Sequence, residues 1–202
     1  MTMLVILAAA AAAAAEPARP ECAFDREAAL ALEFVAFDQT EGSGWRPLHD
    51  AGCYLEAAEL LRDWQARHRG DFDLANPSDR AIVEFLPWHE AQMWAFGGRT
   101  DVALPIFERT HRQGQGSFEV AWNRYVDGTI AFLERDRAAL EAATAELAAV
   151  PEPPGWSKAV GADGKPIAMR WPQNLDVLQG LLRCWDQPYA VAYVCRDIQK
   201  LR

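Results

Sequence analysis

Along most of this 202-residue chain, apolar side chains recur every third or fourth position, the period of amphipathic helices, and seldom alternate as strands require. Leu30, Phe34 and Phe37 share one face within residues 25–38, which predicts a first helix ending before the turn-rich Thr40-Glu41-Gly42-Ser43-Gly44. Ala57, Leu60, Leu61, Trp64 and His68 predict a second over 54–69, stopped by Gly70. A third opens at Asn76-Pro77-Ser78 and runs to Phe96, with Ile82, Phe85, Leu86, His89, Met93 and Phe96 along one side. Pro87 removes a backbone donor in its middle and is expected to kink or split it. Further helices are predicted over 101–112, 118–134 and 137–150, and a final pair over 175–185 and 189–201 turns at Asp186-Gln187-Pro188. Between these groups Pro151, Pro153, Pro154 and Gly155 stop all helix, and the turn-rich Gly161 to Pro166 predicts an irregular loop or small β-hairpin within 156–171.

Two of the predicted helix pairs repeat one another. In the first, Ala91 and Ala103 are the small residues that let two helices approach, Trp94 and Phe107 fill the space beside them, and Gly97-Gly98 supplies the turn. In a weaker copy over 122–150, Gly128 and Leu140 stand in the places of Ala91 and Ala103, each at an offset of 37 residues. This segment resembles the tetratricopeptide-type helical repeats, whose period is about 34 residues. The resemblance implies an all-α fold of antiparallel helix pairs stacked as a short superhelix, with repeat-like units over 22–69, 78–112 and 117–150 and a capping pair over 174–201. It also implies a groove lined by the first helix of each pair, with Phe85, Trp88 and Gln92 from one and Trp122, Tyr125 and Thr129 from the next. Such a groove is aromatic. The Lys, Arg and Asn of the carboxylate clamp known in some members of that family are missing from these places.

Composition narrows the setting. The first residues, MTMLVILAAAAAAAA, carry no charged side chain and end in Ala13-x-Ala15, which reads as a secretory signal over 1–15 followed by a single domain over 16–202. The run is short for a span of about 20 residues and no basic cluster follows it, so no stable membrane insertion is expected after cleavage. Cys22, Cys53, Cys184 and Cys195 lack metal-ligand spacing and in an exported chain read as two disulfides. Three pairings are possible, of which the local one, Cys22 with Cys53 and Cys184 with Cys195, is favoured because each bond closes a short loop. Arg19-Pro20-Glu21 before Cys22 lacks the small and apolar residues of a lipobox. Twenty basic against 29 acidic residues leave a net charge of −9, which argues against nucleic acid as a partner.

Candidate chemistry is sparse. His89-Glu90 begins like a zinc-protease helix, but the second histidine would fall at position 93, which is Met93. His89 sits on the apolar stripe of its helix, which marks it as a hydrogen-bonded core or groove residue; His49, His68 and His111 have no partner spacing, so no metal site is assigned. No phosphate loop, nucleophile elbow or dinucleotide fingerprint occurs, and neither a cofactor nor a catalytic residue is assigned. The sequence therefore points to a periplasmic or secreted module holding a protein or peptide partner in the aromatic groove. The competing reading is a protein that binds or cleaves cell-envelope glycan, with Glu90 or Glu84 as the acid.

Overall fold

The computed structural model describes residues 22–158 and 170–196. Every regular element among them is helical: α1 (Arg26–Leu30), a π-helical turn (Val35–Gln39), α2 (Arg46–Asp50), α3 (Tyr54–Arg67), α4 (Pro77–Phe96), α5 (Thr100–Glu108), α6 (Ser117–Leu133), α7 (Arg137–Ala148), a 3-10 turn (Trp156–Lys158), α8 (Leu175–Arg183) and α9 (Tyr189–Tyr193). From α3 to α9 each helix packs on the next in the chain, α1 and α2 lie on α3, and α9 returns to α4. The chain is thus all-α, with helix pairs stacked on one another. Of the hairpin expected within 156–171, residues 159–169 lie outside the described residues, and its start is the single 3-10 turn.

The spacing of small residues explains the stacking. Ala91 and Ala103 are wholly buried where α4 meets α5. A side chain on Gly97 would strike Leu55 of α3, with Cβ only 2.3 Å from Cδ2, so glycine lets the turn after α4 sit against α3 without moving Leu55. Gly128 plays the same part in α6: its missing Cβ leaves the space that Leu178 of α8 fills.

Four helix expectations need correction, the last being the final helix over 189–201, which ends at Tyr193 with 194–196 non-helical and 197–202 outside the described residues. The first helix is broken into α1 and the π turn, because α3 competes for its carbonyls: Trp64 Nε1 donates to Leu32 O at 2.9 Å and His68 Nε2 to Leu30 O at 2.9 Å. Helix α2 falls where no helix was predicted; it starts with Pro47 in its first turn, and the Trp45 indole before it is tied to Asp38. Pro87, expected to kink or split its helix, does not split it: α4 is one helix of 20 residues. The carbonyl that loses its donor there belongs to Val83, which is exposed, so the lost bond falls on the wet side of the helix.

Both local cysteine pairs are bonded, Cys22 to Cys53 and Cys184 to Cys195, with Cα atoms 5.5 and 6.3 Å apart. By loop entropy the longer loop contributes roughly 4 kcal/mol and the shorter roughly 3 kcal/mol. Among the described residues no helix is long and apolar enough to cross a membrane.

Candidate functional site

Of the six side chains expected to line the aromatic groove, the four rings come together, and Gln92 and Thr129 meet at the Tyr189 hydroxyl. The Trp88 ring lies 4.7 Å from Tyr125 and 4.9 Å from Trp122, and Phe85 lies 5.8 Å from Trp122. They meet inside the molecule. Trp88, Gln92, Tyr125 and Thr129 are 3%, 6%, 2% and 0% exposed, and only Phe85 and Trp122 keep part of their surface in water. At the Gln92 end the cover is α9: Tyr189 and Tyr193 pack on Phe96 at 5.1 and 5.2 Å, and the Tyr189 hydroxyl comes up against Gln92 and Thr129. At that end the inner wall is therefore closed in this structure. So apolar a surface is unfavourable in water, and the tail carries the matching stripe at Tyr189, Ala192 and Tyr193.

The open surface lies on the other side of α4. Two clefts of about 810 and 280 Å³ share Gln65, Val83 and Pro87, so they form one furrow along the helix. Its narrow end is mostly apolar, walled by Trp64, Phe72, Leu74 and Leu86 together with Arg69; its wide end carries Arg80, Arg109 and Arg112. None of these three guanidinium groups lies within 4.0 Å of a carboxylate among the described residues, in a chain with nine more acidic than basic residues.

Arg112 is held in place before any ligand arrives. Its backbone N–H donates to Asn123 Oδ1 at 2.8 Å, its carbonyl accepts from Asn123 Nδ2 at 2.9 Å, and its guanidinium lies over the Trp122 ring at 4.5 Å. The Trp122 indole in turn donates to Thr110 O at 2.7 Å. Trp122 is thus a platform for an arginine.

The acids of the furrow are mostly engaged. Glu90 accepts from Gln65 at 2.8 Å and from Trp94 at 3.2 Å. Burial pushes its carboxyl above the usual range, outweighing those bonds and the Arg62 and Arg109 charges. Glu119 sits in the first turn of α6, its carboxylate folded back over Gly116 where a helix start favours negative charge. His111 bridges the Glu108 carbonyl and Asp127, both at 2.8 Å, and is raised above an ordinary histidine: burial lowers it, and the two acceptors outweigh burial. Glu84 is the remaining acid of the cleft.

Away from the furrow, His89 Nδ1 meets the fully buried Asp38 at 2.7 Å. Asp38 also accepts from Trp45 at 2.9 Å and from Gln39. Burial raises this carboxyl, and the bonds and charges of His89, Trp45 and Arg46 together hold it below the usual range. The cluster ties the π turn and the start of α2 to α4. Its histidine is thus paired, as its place on the apolar stripe predicts. The one potential metal cluster among the described residues, Cys22, Cys53 and Glu56, has both sulfurs consumed by a disulfide.

Sequence reasoning missed the arginines because no periodicity joins positions 80, 109 and 112; they meet only when α4, the end of α5 and the loop after it pack together. Compared with known proteins, the chain matches no family model, no curated protein and no solved structure, so the meaning of the site rests on these residues alone.

Proposed function

We propose that this chain is an exported protein-binding module that holds an extended acidic segment of a partner in the furrow along α4. The observation that carries the reading is the continuity of an apolar pocket with a cleft bearing three guanidinium groups unpaired with any described carboxylate. An extended peptide places side chains at intervals, so one large apolar residue enters the narrow end while carboxylates reach Arg80, Arg109 and Arg112. The preorganised Arg112 lowers the ordering cost of the first contact. The leading segment over 1–15 and the two disulfides support a periplasmic or secreted setting.

A labelled peptide with a Leu-Phe pair followed by glutamates tests this by fluorescence anisotropy. Binding is expected to weaken about tenfold or more in Arg112→Glu and to weaken as salt rises from about 0.05 M to about 0.3 M. Equal binding by native protein and the Arg112→Glu variant, or none by either, refutes the reading.

One observation favours the glycan reading instead: Glu90 is a carboxyl raised by burial, held by two donors, in the same cleft as Glu84. Under that reading Glu90→Gln abolishes release of sugar fragments from purified envelope glycan. Under the binding reading the native protein releases none.

A further inference from the structure

The two disulfides sit in different surroundings. Cys22 and Cys53 are buried, whereas Cys184 and Cys195 are half-exposed. Thiol–disulfide exchange needs a thiolate to reach a sulfur, so access decides which bond yields first. The accessible bond joins the C-cap of α8 to the second residue beyond α9, closing a loop with a separation of 11 residues.

Helix α9 has five residues, far too few to persist as an isolated helix. Tyr189 and Ala192 bury themselves against the inner wall, and Arg183 donates to Cys195 O at 2.7 Å. Gly180 lets the strap come close, since a Cβ there would lie 2.9 Å from Cys195 O. The surface beneath is partly polar: the Tyr189 hydroxyl lies against Gln92 and Thr129, and all three are buried. The covalent closure thus holds a helix of five residues over a wall that mixes aromatic and polar groups.

We propose that Cys184–Cys195 is a redox latch that holds α9 over the inner wall, and that a dithiol reductant opens it. One thiolate of the reductant attacks a latch sulfur, the S–S bond breaks, and the second reductant thiol resolves the mixed disulfide. The reductant gives up two electrons and becomes a disulfide; Cys184 and Cys195 gain those electrons and two protons as thiols. The strap over 184–195 is then free to leave, and Gln92, Phe96, Tyr125 and Thr129 become an open wall. This stands independently of the furrow on the other side of α4.

The test uses the full chain titrated with dithiothreitol, trapped by alkylation and mapped by mass spectrometry, with hydrogen exchange and tyrosine nitration on the same samples. Alkylation of Cys184 and Cys195 is expected at about tenfold less dithiol than Cys22 and Cys53. Amides over 189–196 are expected to lose protection, Tyr125 and Tyr189 to become open to nitration, and α3 to α7 to stay protected. A Cys184→Ser/Cys195→Ser double variant is expected to reproduce that state without reductant. Simultaneous reduction of both bonds, unchanged protection over 189–196 in both preparations, or loss of every helix together overturns the proposal.

Discussion

His111 faces an acceptor on each side, Glu108 O through Nδ1 and Asp127 through Nε2, and only the imidazolium donates to both. Its folded-state pKa is raised, so its contribution to stability is complete below the unfolded value of about 6.5 and is lost as pH rises through the folded value. The stability lost in His111→Gln is expected to be larger at about pH 5.5 than at about pH 8, by no more than about 1 kcal/mol because the ring is partly exposed. Urea denaturation at the two pH values measures it; a cost independent of pH contradicts the assignment. Trp88 lies at the other extreme. Packed on Phe107 at 4.6 Å and on Tyr125 at 4.7 Å, it is expected to cost about 3–5 kcal/mol when replaced by Ala, as calorimetry or urea denaturation reports. A fully stable Trp88→Ala variant places the ring outside the core.

Helices meet here through positions without side chains. Gly128 faces Leu178, whose Cδ1 would stand 2.6 Å from an added Cβ. Gly128→Val is therefore expected to destabilise by about 1–3 kcal/mol, the usual cost of overpacking. Gly128→Ala is expected to cost less, because the Leu178 end is flexible and alanine gains about 1 kcal/mol of helix propensity over glycine. Equal stability of all three proteins contradicts the α6–α8 contact. The long elements were legible in sequence for the same reason that they are stable: Ala57, Leu60, Leu61 and Trp64 form a stripe that water disfavours, and α3 buries all four. The first helix was not, since what breaks it is hydrogen bonding from Trp64 and His68, more than thirty residues away. That Pro87 does not split α4 was not legible either: the missing donor is certain from the residue type, but whether the orphaned carbonyl faces water is a tertiary fact.

At the scale of the molecule, the chain closes one face and leaves the other open. The aromatic positions 85, 88, 122 and 125 were legible as a cluster through the resemblance to helical repeats, which implies one shared groove face for them. That α9 closes the end of this wall at Gln92, Phe96 and Thr129 was not, because a stripe predicts burial without saying what covers it. The guanidinium end was invisible, since charges on three separate segments share no spacing along the chain. A division of labour between faces is expected: the furrow along α4 takes the partner while α9 stays on the inner wall in the oxidised protein. Hydrogen exchange of the oxidised full chain, with and without a saturating acidic peptide, tests this most directly. Added protection confined to residues 80–90 and 109–113, with none over 125–129 or 189–196, is the predicted result; added protection at the inner wall and α9 with the furrow unchanged contradicts it.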